Sequence, residues 1–571
     1  MIEAEMYKKI EINRKNIFIG VAWPYVNGDI HIGHMAGYLL PADIIARYYR
    51  ADNYKVLMVS GSDCFGTPIT IEADKRDLPP QTIADIYHKQ DERLFKEVLG
   101  LTYDIYTRTD TENHIKTVQD VFMGLLDRGY IFIDTTKQFY SPQEKKFLPD
   151  RYVEGECKNC GYDGARADQC ENCGKLLEQD ELINPKSKLT EQEVILKDTE
   201  HYFLDWSLLQ PQINDYVAGS GSHWKNWVFQ ETQGWLRKGL KPRAITRDIN
   251  WGVPLPTDRI PSDKLIDNHQ EKRLYVWFDA VIGYLSASKL WAQENSENWE
   301  NFWYNQDSKH YYFMGKDNLI FHTILWPGQL IGYDPKLHLP DMPSVNMFYN
   351  LEGQKFSKSK NITIGIEELV NQFGNDAVRF YTTLTMPETK DASFKFDDFI
   401  EKNNQLLVGN LGNYIHRILS IASTEDIGKI AAYPLSSEVS KAIDTSFEKA
   451  RSHIQNCEFR NYLDDLLNLS DFGNKFFSYQ EVWKLKKTDR EQYCSALKQL
   501  YSMILALGYL MVPVLPETST RLAQMLEIET FDKWPQVNEE INRIEDQLKQ
   551  VKQPIKPTPL FRKIDPKETL K

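Results

Sequence analysis

The pattern of apolar and polar positions changes character along the chain. Lys15 to Ala22 (KNIFIGVA), apolar from Ile17 onward, predicts a strand, and Lys55–Ser60 (KVLMVS) predicts a second. Between them, apolar residues from His31 to Tyr49 recur at helical spacing, which makes a β-α-β unit. Pro41 falls inside that helix and removes one backbone donor, so a kink is expected there. From about 130 to 230 the pattern gives way to turns, short strands and four clustered cysteines, as an insertion would. Strand signals return at Leu274–Phe278 (LYVWF) and Tyr311–Met314 (YYFM), read as the second half of the same sheet. Strands with intervening helices point to an α/β, doubly wound parallel sheet whose ligand lies beyond the strand C-termini.

Beyond about 400 the period becomes helical throughout. Leu407, Leu411, Tyr414, Ile415, Ile418 and Leu419 form one apolar stripe, and Leu497, Leu500, Met503, Ile504 and Leu507 another. Val512-Pro513-Val514-Leu515-Pro516 ends the second helix. The closing stretch, rich in Lys and Pro, reads as an exposed tail.

Composition narrows the class. At 571 residues the chain is too long for one core, and roughly three to five domains are expected. A 42% hydrophobic and 26% charged composition is that of an ordinary globular protein. The N-terminal stretch carries acids and lacks an apolar core, so it does not read as a signal peptide, and no apolar run of about 18 residues occurs. A soluble cytoplasmic protein without membrane contact is therefore expected. A net charge of −13 argues against bulk nucleic-acid affinity but leaves room for a local basic track. Cys64, Cys457 and Cys494 are scattered and read as reduced.

The candidate chemistry sits in short motifs. Pro24-Tyr25-Val26-Asn27-Gly28-Asp29-Ile30-His31-Ile32-Gly33-His34 follows the first strand and sets two imidazoles beside a glycine at a strand-to-helix turn. Backbone N–H groups and the helix dipole favour phosphate at such a turn. More than 300 residues further on, Lys355-Phe356-Ser357-Lys358-Ser359 forms a polar loop after another predicted strand. Two lysines there suit a mobile cation clamp for phosphoryl or nucleotidyl transfer. Cys157-x2-Cys160 and Cys170-x2-Cys173 have the paired spacing that holds a tetrahedral Zn²⁺, with iron in the same cage as the alternative. Four thiolates leave no open position, so the metal is expected to be structural. Gly61-Ser62-Asp63 places a carboxylate at the end of a predicted strand, where it could meet an ammonium group. Tyr275-Val276-Trp277-Phe278-Asp279-Ala280-Val281-Ile282-Gly283-Tyr284 reads as core when taken alone, but its aromatic rings could also wall a pocket.

The His31 and Lys355 motifs, in that order, resemble the two signatures of class I aminoacyl-tRNA synthetases. With Ala22-Trp23-Pro24-Tyr25, the cysteine knuckle, Tyr275-Val276-Trp277, and Gly315-Lys316-Asp317 with Phe321-His322, residues 15 to 565 resemble the methionyl-tRNA synthetase family. The resemblance implies a ligase that activates L-methionine with ATP and charges initiator and elongator tRNAMet. It implies a methionine site from Trp23, Tyr25, Asp63, Trp277, Ala280, Tyr284 and His322. It implies an ATP site, with Mg²⁺ accompanying the nucleotide, from His31, Gly33, His34, Gly315, Asp317 and Lys358, catalysis resting on His31, His34, Lys355 and Lys358. Asn413, Arg417 and Trp483 resemble the family's readers of the CAU anticodon.

The implied division is 1–125 and 236–345 for the halves of the catalytic domain, 126–235 for the zinc-knuckle insertion, and 346–400 for the signature-loop and stem-contact region. A C-terminal all-α bundle for the anticodon at 401–545 and a Lys/Pro-rich tail at 546–571 complete it. Departures from many relatives fall at Trp23, Phe65, Val281, Asn318, Phe356 and Val482, and none removes a catalytic group. The chain ends before the oligonucleotide-binding dimerisation domain that some members carry, so a monomer is expected. The competing reading is a synthetase-like RNA-binding or regulatory protein that has lost aminoacylation; retention of His31, His34 and Lys358 argues against it.

Overall fold

The computed structural model describes residues 16–149, 152–167, 170, 172–173, 177, 181–188, 190–352, 365–551 and 557–568. Its centre is a five-stranded, all-parallel sheet. The strands are β1 (Asn16–Val21), β2 (Lys55–Ser62), β3 (Ile105–Arg108), β4 (Lys309–Gly315) and β5 (Met342–Asn346), in the spatial order β5-β4-β1-β2-β3. Every residue of β1 is buried, as its continuous apolar run requires of a strand covered on both faces. Strand order reverses between β1 and β4, so a crevice opens beyond the C-terminal ends of these two neighbours.

The expected strand at Leu274–Phe278 is not part of this sheet. The strand covers Lys272–Leu274 and belongs to a separate three-stranded antiparallel sheet, while Val276–Asp279 turns into a helix. The aromatic and β-branched residues there suit a strand locally, but docking beside the crevice overrides that preference. Tyr311–Met314 lies within β4 as expected.

The helix after β1 adapts to Pro41 by changing its winding. Ile32–His34 is α-helical, Met35–Leu39 is a π-turn, and Leu40–Ala51 resumes the α-helix with proline in its first turn. The Leu40 N–H bonds to the Met35 carbonyl five residues back, so the missing proline donor falls where the register shifts. Of the further π segments among the described residues, Phe321–Leu325 and Asn403–Gly412 each lie beside candidate site residues.

The insertion is built on a long antiparallel ribbon, Ile131–Ser141 against Ile195–Leu204. At its tip three short strands surround a small apolar core that includes Val153, Ala165 and Leu182, with Cys157 at the end of one strand and the other three cysteines outside the strands. In the helical region, Arg490–Met511 is buried on nearly every side and forms the axis about which Ser437–Gln455, Phe459–Tyr479 and Glu540–Gln550 pack. Both expected stripes are fully buried.

The helical region is fixed firmly to the sheet. Arg379 pairs with Asp43 at 2.8 Å, both side chains wholly buried, and donates to the Pro513 and Val514 carbonyls. Arg451 pairs with Asp52 at 2.7 Å. The expected exposed tail lies back on this body over 557–568: Leu560 and Ile564 are buried, and Asn403 and Asn404 donate to the Arg562 and Ile564 carbonyls. Apolar side chains between the lysines and prolines drive that return. Among the described residues no helix is long and apolar enough to cross a membrane.

Candidate active site

A cavity of about 640 Å³ opens at the switch point between β1 and β4. It is lined by Trp23, Tyr25, His31, Gly33, His34, Asp63, Trp277, Ala280, Tyr284, Gly315, Asp317 and His322. Every residue assigned from sequence to the methionine and ATP sites therefore borders one space, apart from the lysines. Lys355 and Lys358 lie outside the described residues. A cavity of similar size, about 620 Å³, opens at the opposite edge of the sheet by Lys309 and Met342 and holds none of the motif residues.

Local hydrogen bonds fix the two signature histidines. The Gly33 N–H donates to His31 Nδ1 at 3.1 Å, and the His31 N–H donates to His34 Nδ1, also at 3.1 Å. Both Nδ1 atoms are thus acceptors, which leaves Nε2 of each neutral ring as its N–H donor. The rings sit 3.9 Å apart, a doubled donor at the mouth of the crevice. Gly33 has no substitute here, because an added Cβ would press on the His31 ring and the Tyr349 carbonyl. Tyr349–Leu351 is the strand that precedes the Lys355 motif in sequence, and His31 forms a β-bridge with Gly365, which follows that motif. Folding thus brings the two signatures' flanks into contact.

The other end of the cavity is aromatic. Trp277, 48% exposed, stands between Tyr275 at 5.3 Å and Phe321 at 5.3 Å in ring-centroid distance. Trp23 lies in a slot walled by Gly61 and Gly283, where a Cβ on either would collide with the indole. At the floor, Tyr284 and His322 are buried, and burial pushes the His322 imidazole down to about 4, so it is neutral. Asp63 is only 3% exposed, and its Oδ1 has no hydrogen-bond partner. Burial pushes its carboxyl well above the usual range.

Tyr38, Phe321, Met347, Phe348 and Tyr349 also line the cavity and were not assigned from sequence. Phe321 adjoins His322 in a quoted motif, and Tyr349 precedes the lysine loop, so adjacency to a motif was the available signal. Asp279, buried behind the pocket wall, was passed over inside an otherwise apolar run.

The four cysteine sulfurs lie within 4.8 Å of one another, with Cys157–Cys173 at 3.9 Å and Cys160–Cys170 at 3.6 Å. A Zn–S bond of about 2.3 Å in a tetrahedron sets sulfurs about 3.8 Å apart, so the cage fits the ion. None of the four is in a disulfide. Asn159 and Asn172 direct their amides at the Cys173 and Cys160 sulfurs, which supports thiolate charge.

On the helical region, Asn413 is exposed at the start of Asn413–Ile421. One turn on, Arg417 donates to Asn474 at 2.8 Å and lies 4.0 Å above the Phe477 ring. Phe477 packs at 5.4 Å against Trp483, which is 45% exposed. The three expected residues thus share one face, held by Phe477 and Asn474.

Comparison with known proteins agrees with this arrangement. The family model described as tRNA synthetases class I (M) matches residues 17–419, and that for the anticodon binding domain of methionyl tRNA ligase matches 431–570. The methionine–tRNA ligase of Roseiflexus sp. is 41% identical over 524 residues, covering 90% of this chain and 87% of that relative. That of Chloroflexus aggregans is 39% identical, covering 97% of both. The fold is also that of Mycobacterium tuberculosis methionyl-tRNA synthetase solved with methionyl-adenylate, with a TM-score of 0.75 at 21% identity over 96% of this chain and 99% of that one. A parallel sheet carrying both signature flanks at its switch point, a four-cysteine insertion and a matching helical region place the chain in the methionyl-tRNA synthetase family of class I tRNA synthetases.

Proposed function

We infer that the chain is a methionine–tRNA ligase: it joins methionine to ATP as methionyl-adenylate, then transfers the methionyl group to the 3′ adenosine of tRNAMet. The observation that carries this reading is the single cavity in which an aromatic, carboxylate-bearing end meets a histidine and glycine end at the switch point of the sheet.

In this reading Asp63 receives the α-ammonium, because a buried carboxylate oxygen without a partner suits a cation. The thioether lies against Trp23, Tyr25, Trp277, Ala280, Tyr284 and His322, where sulfur–aromatic contact replaces hydration. ATP occupies the end formed by His31, Gly33, His34, Gly315 and Asp317, accompanied by Mg²⁺, which neutralises triphosphate charge. A methionine carboxylate oxygen then attacks the α-phosphorus and pyrophosphate departs. The His31 and His34 Nε2–H donors meet charge as it develops on the phosphates, the interaction that most lowers a barrier. Lys355 and Lys358 take the departing pyrophosphate. In the second step the tRNA hydroxyl attacks the adenylate carbonyl and AMP leaves.

Cys157, Cys160, Cys170 and Cys173 would hold one Zn²⁺, which would order the tip of the insertion and supply no catalytic chemistry. Asn413, Arg417 and Trp483 hold the CAU anticodon, Trp483 by stacking and the other two by hydrogen bonds to base edges. The place of action is the cytoplasm, where the tRNA partner resides and reducing conditions keep the thiolates available. ATP–pyrophosphate exchange across the twenty amino acids tests the assignment. Methionine alone should support rapid exchange; a maximum with leucine, valine or cysteine would overturn it.

A further inference from the structure

Asp279 lies behind the methionine end of the cavity with its side chain wholly buried, and neither carboxylate oxygen has a hydrogen-bond partner. It sits in the first turn of Val276–Asp279, the segment that also presents Trp277 to the cavity. Its electrostatic neighbour is Asp63, whose Oδ1 is likewise unpartnered and which lines the cavity. Two buried carboxyls thus stand together, and among the described residues neither has a salt-bridge partner. A fold retains such an arrangement at a cost, because unpaired buried carboxylates are expensive.

The groups around the pair can be named from each element packed on it. From the loop after β1, the Tyr25 phenol feels both carboxyls and is itself pushed far up by burial, so it stays neutral. From the turn before the short helix, Tyr275 joins them. From the end of β2, the Phe65 N–H donates to Asp63. Arg247 brings one positive charge to the edge of this group, its guanidinium 4.1 Å over the Tyr275 ring; the others bring none.

We propose that Asp279 is a positioning residue that acts through Asp63: the pair holds proton in the empty pocket, and an arriving α-ammonium at Asp63 displaces it. The inference rests on the methionine reading above. Burial pushes both carboxyls well above the usual range, and Asp63 raises Asp279 further, as like charges in one site must. The proton leaves to solvent as the ammonium takes its place, so charge balances without any further reactant. The consequence is selective: a ligand of the same shape without an ammonium finds a protonated pair and displaces nothing.

Calorimetry of the full-length protein in buffers of different ionisation enthalpy counts the protons released, from pH 5.5 to 8.5. L-Methionine and L-methioninol should each release up to about one proton per site, most at the acid end, whereas 4-(methylthio)butanoate should release none. Asp279→Asn removes the carboxyl that Asp63 raises, and with it the proton that the pair gives up last. Its proton release should fall about twofold or more, and the acid limb of kcat/KM for methionine in pyrophosphate exchange should move down by about one pH unit. Methionine binding with no proton release at any pH overturns this inference alone, and so does an Asp279→Asn variant matching wild type in both readouts. If that variant does not fold, the wild-type comparison of the three ligands decides. Failure of methionine to bind at all would instead overturn the methionine reading.

Discussion

The Tyr284 hydroxyl lies 2.7 Å from Nε2 of His322, both buried at the floor of the cavity. His322 Nδ1 lies 2.9 Å from the Asn318 carbonyl and can only donate to it, so Nε2 accepts and the Tyr284 O–H donates. One backbone carbonyl thereby sets the orientation of a phenol two elements away. Changing Tyr284 to Phe leaves Nε2 a buried acceptor without a donor, at a cost of about 1–3 kcal/mol. The melting temperature should fall, and the methionine KM in pyrophosphate exchange should rise about tenfold, the factor carried by 1.4 kcal/mol. Unchanged values of both would show that the hydroxyl contributes nothing to the pocket.

Three buried histidines make stability depend on acid. Burial pushes His114 and His310 down to about 3 and His322 to about 4. Each is therefore neutral in the folded protein, while in the unfolded chain it protonates near 6.5. Because the unfolded state binds proton first, their contribution is fully present above about 6.5 and is lost as pH falls towards 4 and 3, by about 1.4 kcal/mol per group per pH unit. Urea unfolding midpoints should drop between pH 7 and pH 5; a flat profile across that window would contradict the burial of these rings.

The cysteine cage should contain about one zinc per chain by elemental analysis, as one four-thiolate site requires. Changing Cys170 to Ser should lower solubility and thermal stability before it alters exchange kinetics, because the cage orders only its own small core. Iron as the dominant metal, or a metal-free protein of full stability, would refute the zinc assignment.

Lys358→Ala should slow adenylate formation by about 10²–10³, the loss seen when one preorganised charge partner of a transition state is removed. Methionine binding should barely change, since the lysine is assigned to the departing pyrophosphate. Wild-type adenylation by this variant would remove Lys358 from the mechanism.

Trp483→Ala should reduce tRNAMet charging by roughly ten- to a hundredfold, because stacking on one aromatic ring is worth about 1–3 kcal/mol. Pyrophosphate exchange should be unaffected, since the Arg417–Phe477–Trp483 stack lies on the helical region and not at the cavity. Equal damage to both half-reactions would mean that Trp483 serves packing alone.

The motifs were legible in the sequence because their chemistry is local. Paired CxxC turns, two histidines flanking a glycine, and an unbroken apolar strand each carry their physical reason within a dozen residues. From these followed the doubly wound sheet, the four-cysteine cage and the helical C-terminal region. The apolar stripes at Leu407 and Leu497 also identified buried faces, since helical period alone selects them.

Only the tertiary structure decided what lies far apart in sequence or against local preference. Val276–Asp279 has the composition of a strand but folds as a helix, because the crevice needs Trp277 at its wall. Pro41 is accommodated by a π-turn, and the Lys/Pro-rich tail is drawn back by Leu560 and Ile564. The bridge from His31 to Gly365 and the pairing of Asp63 with Asp279 depend on chain crossings that no window of residues contains. Local spacing fixes hydrogen bonds and helical faces over a few residues. Which carboxylate is left without a partner, and which histidine is neutral, is set by burial, and burial belongs to the whole fold.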